Sequence, residues 1–338
     1  MRRGTHRRRG GALLTAAVAV SLAAGCTAGS GAKEDRRAPQ PERSQSAAGS
    51  GSVLAVKVDN VRAARPQTGL DAADVVYAEP VEGGLSRLMA IYATELPEKV
   101  GPVRSARESD LELLRQFDRP TLAFSGAQSK LLPLIDKAPL RAEPPGEGSD
   151  AYVRDDGRPA PHNLYVRPGR LLPAAAGADA LATGFHYGGA PEGGRSVSSR
   201  TVRYPSASFG FTWSESGDRW LVSLDGTPAR TADGGRLAPA TVVVQHVNVR
   251  QSDFRDFRGS NSPYVESVGS GRAEVLRDGR SYDAAWKRGS AADGTSFTTE
   301  DGTALKLAEG QVWVVFVDTK TADTTKADTT KADTTKAP

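Results

Sequence analysis

The sequence predicts an α+β fold of mixed layered β-sheets with few helices, an N-terminal α+β part followed by a β-rich C-terminal part. Three observations lead there. Short apolar runs that alternate with polar residues recur along the chain, bounded by turn-forming dipeptides. Only two segments carry apolar residues at helical spacing. Nowhere do strands and helices alternate regularly, as a doubly wound fold requires. The 36 Gly and 21 Pro among 338 residues agree, because both residues mark turns and interrupt helices.

Taken in order, Val53–Val58 alternates as a strand, and Asp74–Tyr77 and Leu85–Tyr92 follow with Gly83-Gly84 as the turn between them. Ser105 and Glu108 read as a capping box, and Leu111, Leu114 and Phe117 make one helical stripe. Thr121–Phe124 is a further strand, and Ala127–Ile135 a short helix interrupted at Pro133. Residues 137–196 are rich in Pro, Gly and charge. From Arg200 the pattern is almost all β: Thr201–Tyr204, Phe209–Trp213, Trp220–Leu224, Thr241–Val249, Arg272–Leu276, Ser281–Trp286 and Val312–Val317. Asp225-Gly226, Asp278-Gly279 and Asp301-Gly302 supply turns. Trp213, Trp220, Trp286 and Trp313 read as β-core or cross-strand packing.

The ends of the chain have a different character. Arginines lead into an apolar run from Ala12 to Ala24, the length of a signal-peptide core and too short to span a bilayer. Ala23, Ala24 and Gly25 precede Cys26, the single cysteine, in the manner of a bacterial lipobox. Residues 1–25 are therefore expected to be a lipoprotein signal peptide, and Cys26 the lipidated N-terminus holding the protein on the extracytoplasmic face of the cell membrane. Residues 27–52, without aromatic or branched apolar side chains, read as a disordered linker with a coil span of roughly 28 Å. Residues 318–338 repeat Asp-Thr-Thr-Lys-Ala and read as a disordered tail. Domains are expected at 53–195 and 196–317.

Charge excludes one class of partner. The formal net charge of +4 owes five positive charges to Arg2, Arg3, Arg7, Arg8 and Arg9. Without residues 1–25, 39 Lys and Arg face 40 Asp and Glu, so the mature chain carries no basic excess for nucleic acid.

Several runs resemble the YerB-like family of bacterial envelope lipoproteins. They are Asp59-Asn60, Ala64-Arg65-Pro66-Gln67 with Gly69-Leu70, Ala73-Asp74-Val75-Val76-Tyr77, Val81-Glu82-Gly83-Gly84, Ser86-Arg87, the segment from Val100 to Arg107, and Pro161-His162-Asn163-Leu164-Tyr165. Thr241–Val244, Trp286-Lys287 and Gly310–Trp313 extend the likeness into the C-terminal part. The resemblance implies a two-part α+β fold and extracytoplasmic anchoring, and brings no catalytic residues. In one place the chain departs from the family, which often has Glu directly after the Tyr: here Ala78 follows, with Glu79 next.

Familiar catalytic motifs (HExxH, CxxC, GxSxG and the phosphate-binding loop) are absent, and His162, His186 and His246 show no ligand spacing, so no cofactor or metal is implied. What remains is a polar constellation of Asp59, Arg65, Glu82, Arg87, Arg104, Arg107, Asp110, His162 and Asn163. Arg104 and Arg107 stand at a helix start, where the macrodipole disfavours cations. Either internal carboxylates such as Glu82 or Asp110 offset them, or a ligand anion does. Arg65, Arg87, Arg104, Arg107 and Asn163 are the ligand-binding candidates, for an anionic cell-wall component or an envelope protein. In the alternative, a wall-polymer hydrolase or transferase, Glu82 and His162 are acid and base.

Overall fold

Long β-branched runs such as Thr241-Val242-Val243-Val244 and Val312-Trp313-Val314-Val315 favour strands buried on both faces, and they lie at the centre of the structure. The computed structural model describes residues 52–256 and 259–320. The expected signal segment, Cys26, nearly all of the linker and nearly all of the tail lie outside the described residues.

The main sheet gathers strands from both ends of the chain. In chain order these are β1 (Leu54–Asp59), β2 (Val75–Pro80), β3 (Ser86–Tyr92), β4 (Thr121–Ala123) and β5 (Arg141–Glu143). β6 (Tyr152–Arg154) and β7 (Leu164–Val166) form a separate hairpin, and β8 (Arg195–Ser196) is a short edge strand. β9 (Ser199–Tyr204), β10 (Ala207–Ser214), β11 (Arg219–Leu224) and β12 (Thr227–Pro228) make a second, antiparallel sheet. β13 (Thr241–Val247) returns to the main sheet, and β14 (Val249–Arg255) and β15 (Asn261–Val265) form another hairpin. β16 (Gly269–Arg277), β17 (Arg280–Arg288), β18 (Ser296–Thr298) and β19 (Val312–Asp318) complete the main sheet. Its order is β18-β17-β16-β13-β19-β2-β3-β1-β4-β5, with β8 paired to β17. β19 pairs in parallel with β13 on one side and β2 on the other, so one sheet runs unbroken through both halves of the sequence.

Both faces of this sheet are covered. On one, Phe209, Phe211, Trp220 and Val222 of the four-stranded sheet pack against Val56, Val76 and Trp313. On the other, Leu113, Leu114, Leu131 and Ile135 pack against Ala55, Val75, Met89 and Val314. Those four residues belong to or adjoin the two α-helices, α1 (Glu108–Leu114) and α2 (Leu132–Lys137).

The molecule is therefore β-rich, which corrects the expected α+β class: of the described residues 42% lie in strands against 9% in helices. Both helices are too short to persist without tertiary packing. After Leu114 the chain leaves the helix, and Phe117 is buried from the turn that follows. Pro133 sits in the first turn of α2, where it opens the helix instead of interrupting it. Asp225-Gly226 and Asp278-Gly279 make the expected turns, with φ of 51° and 75° in the first and 51° and 67° in the second. Trp213 and Trp220 are direct cross-strand partners with ring centroids 5.2 Å apart, and Trp220, Trp286 and Trp313 are buried.

Candidate functional site

The face of the sheet that α1 covers changes character toward one end of its strands. Ala55, Tyr77 and Met89 are apolar, whereas Lys57 and Asp59 of β1, Glu79 of β2 and Arg87 of β3 continue the same face with charge. Register fixes this row, because Arg87 stands opposite Asp59 on one side and Glu79 on the other.

At the inner end lies a buried ion cluster. Lys57 Nζ donates to Glu79 and, at 2.7 Å, to Asp110 Oδ1, and all three residues are at most 2% exposed. Asp110 Oδ2 also accepts the Arg107 backbone N–H at 2.7 Å, which closes the N-terminus of α1. One ammonium thus faces two carboxylates. Burial raises the Glu79 carboxyl to about 7, Lys57 opposes the rise and Asp110 adds to it. Sequence reading missed Lys57 and the role of Glu79; the available signal was a lysine in an otherwise apolar alternating run. Because Glu79 is on the α1 side, an acid one position earlier would point into the opposite core, where Ala78 packs.

Beyond this cluster opens a cavity of about 940 Å³. Asp59, Glu82, Arg87, Arg104, Arg107 and His162 all line it, together with part of the β14–β15 hairpin. Arg107 and Glu82 form a bidentate pair, Nε to Oε1 at 2.7 Å and Nη2 to Oε2 at 2.8 Å, and Ser262 Oγ donates to Oε1. Burial pushes the Glu82 carboxyl up, but Arg107 and Ser262 outweigh it and bring it down to about 2. Arg104 Nε stands 3.0 Å from Asp59 Oδ2, though without a hydrogen-bonding angle. His162 Nδ1 is 2.7 Å from the same Asp59 oxygen. A carboxylate only accepts, so His162 Nδ1 donates to Asp59.

Arg87 is different. It is 8% exposed, and among the described residues its side chain makes one hydrogen bond, from Nη1 to the Ser105 carbonyl at 3.0 Å. No carboxylate among the described residues lies in ion-pair range of it. Burial lowers its guanidinium to about 10, with Arg107 and Arg104 adding to the fall more than Glu82 and Asp59 oppose it. The surroundings of Arg87 thus favour arrival of an anion.

Two expected site residues are elsewhere. Arg65 donates to Asp225 Oδ2 at 2.8 Å and to the Asn60 carbonyl at 2.6 Å, tying the β1 exit to the β11–β12 turn. Asn163 accepts from Arg154 at 2.8 Å within the β6–β7 hairpin. The capping box also differs from expectation. Arg107 is the N-cap and Asp110 the reciprocal acceptor, while the Ser105 hydroxyl stands 3.5 Å from that of Ser125. The proposed acid and base do not pair, since Arg107 and Ser262 occupy Glu82 and Asp59 holds His162.

Comparisons with known proteins place this architecture. Residues 39–181 match the family described as Protein of unknown function (DUF3048), N-terminal domain, and residues 200–314 its C-terminal domain. A protein of Bacillus subtilis (strain 168) whose name describes it as a lipoprotein, YerB, is 23% identical over 280 residues, covering 78% of this chain and 80% of its own. The crystal structure of the YerB protein from Bacillus subtilis superposes with a TM-score of 0.65 at 21% identity, covering 79% of this chain and 90% of that one.

Proposed function

We propose, for a chain that belongs to the DUF3048 family of proteins of unknown function, that it is a lipid-anchored envelope protein whose cavity binds an anion. The lipoprotein character of the YerB relative supports a membrane-anchored envelope location. The apolar leader and Cys26 support anchoring through a lipid on that cysteine, on the extracytoplasmic face. The observation that carries the binding reading is Arg87: a buried guanidinium with no carboxylate in ion-pair range among the described residues, at the wall of an open cavity that Arg104 and Arg107 also line. A phosphate or carboxylate would receive its free N–H groups as charge-assisted hydrogen bonds. Arg104 is the second contact, because it lines the same cavity while its Nε faces Asp59. Arg107 is held by Glu82 and shapes the wall.

Thermal unfolding of the full chain in inorganic phosphate, against chloride at equal ionic strength, tests this. Phosphate should raise the Tm, since a ligand that binds only the native state stabilises by mass action. Arg87→Gln and Arg104→Gln should fold and lose that rise. An equal phosphate effect in both variants would refute the reading.

A second reading rests on the Asp59–His162 pair at the cavity wall, in which a carboxylate orients an imidazole, as general-base chemistry requires. It makes the protein a hydrolase or transferase for an anionic wall polymer. Turnover of a phosphoester that His162→Ala abolishes, with phosphate binding intact, would favour it.

A further inference from the structure

The cavity has two chemistries, and the arginines account for one of them. Val61, Val81, Leu85, Leu131 and Phe254 also line it, on the β1 exit, the β2–β3 turn, the start of α2 and the β14–β15 hairpin. At about 940 Å³ it has the size of a site for a whole organic molecule and far exceeds a single phosphate group. A second observation comes from the protein surface. Among the described residues the exposed large hydrophobics are Leu132 at 39% and Leu134 at 43%, one and three residues after the lining residue Leu131. They leave exposed apolar surface on the six-residue helix that begins next to that lining residue.

We infer that the bound anion is carried on an apolar chain, as in an alkyl or prenyl phosphate monoester. Its head meets Arg87 and Arg104, and its chain runs along Leu131 and Phe254 toward α2. The inference rests on the anion-binding reading above and gives the ligand its class. A free phosphate uses the arginines and leaves the apolar wall wet. A hydrocarbon without charge leaves Arg87 buried and unpaired. Only a molecule with both parts satisfies both surfaces, because apolar burial and charge pairing then act together.

Isothermal titration of the full chain with three probes decides the matter: methyl phosphate, octyl phosphate below its micelle concentration, and octyltrimethylammonium. Octyl phosphate should bind at least tenfold more tightly than methyl phosphate, and the octyl cation should not bind. Tenfold is about 1.4 kcal/mol, which burial of two of the extra methylenes supplies. Phe254→Ser should remove most of the octyl advantage and leave methyl phosphate binding unchanged. Leu134→Gln, at an exposed position that does not threaten folding, should reduce it in the same sense. Arg87→Gln should abolish binding of both phosphates. If the two phosphates bind equally, and both through Arg87, the anion site stands and the apolar-chain inference is overturned. Equal binding of octyl phosphate and the octyl cation would also overturn it, as adsorption to a greasy surface. Failure of both phosphates to bind would remove the anion reading itself.

Discussion

Arg107 holds Glu82 through two parallel hydrogen bonds of 2.7 and 2.8 Å, and this pairing sets it apart from the other cavity arginines, Arg87, Arg104 and Arg255. The residue that sequence placed beside Arg104 as an anion ligand already has its anion. Arg107 also donates through Nη1 to the Ala106 carbonyl at 3.0 Å, and its backbone N–H binds Asp110. It joins the β2–β3 turn to the start of α1. Arg87, which the sequence did not rank above the others, is a buried cavity arginine without an ion-pair partner among the described residues.

Breaking this pair from one side should be costly. Arg107→Ala leaves the Glu82 carboxylate buried with only Ser262 as partner, a loss of roughly 3–5 kcal/mol. Arg87→Gln removes a cation with no carboxylate partner and should change stability by less than about 1 kcal/mol. Urea unfolding of the two variants checks the contrast, and equal destabilisation would contradict the division of roles.

Glu79 predicts a pH dependence of opposite sense to the usual carboxylate. Its folded pKa, about 7, lies above the ordinary value of 4.5, so the folded state holds the proton more tightly. The stabilisation is therefore complete below about pH 4.5 and is lost as pH rises through about 7. Lys57 and Asp110 face the group, and Tyr204 lies close enough to feel its charge. The unfolding free energy should fall between pH 5 and pH 8, by on the order of 3 kcal/mol. Glu79→Gln, which keeps the shape without the titration, should flatten that slope, and an unchanged slope would assign it to another group.

Glu82 works in the ordinary direction. Its folded pKa of about 2 is below the ordinary 4.5, so its contribution is present above pH 4.5 and disappears as pH falls toward 2. Acid unfolding monitored by near-ultraviolet circular dichroism should begin at higher pH in Arg107→Ala than in the parent chain.

The two glycines of the β2–β3 turn should respond unequally. Both have φ of 70°. A Cβ on Gly84 would stand 2.6 Å from Cβ of Pro205, whereas one on Gly83 meets nothing within 4 Å. Gly83→Ala should cost about 1 kcal/mol for the left-handed backbone alone. Gly84→Ala should cost more, because the strand-entry segment at Pro205 must move as well. Thermal melts of both variants give the order, and the reverse order would be wrong for this geometry.

Cys26 predicts the anchor. Metabolic labelling with a fatty-acid analogue should mark the protein, and Cys26→Ala should lose the label and appear in the medium. A Cys26→Ala protein that stays with the membrane would refute the assignment.

Most of the strands were legible, for reasons local to each. β10 and β11 alternate along their length and are flanked by turns, and Asp278-Gly279 specifies the β16–β17 hairpin with positive φ at both residues. The candidate site was legible in part: Glu82, Arg87, Arg104, Arg107 and His162 line one cavity, as their residue types suggested, whereas Arg65 and Asn163 do not. Lys57 was hidden because its neighbours made the strand look wholly apolar. Phe254 and Ser262 were hidden because they come from a hairpin far along the chain.

The sequence by itself determined the local elements: alternation and Asp-Gly turns set the strands, and the lead-in to Cys26 set the expected address. Only the tertiary structure decided how those strands associate and which charges meet. β19 lies beside β2 through a parallel pairing between opposite ends of the chain, and no local pattern encodes such a partner. Arg107 found Glu82, Lys57 found Glu79 and Asp110, and Arg87 found no carboxylate among the described residues. The physical reason is that periodicity tells which face a side chain occupies. The energy of a charge depends on what burial strips from it and what a distant strand brings near.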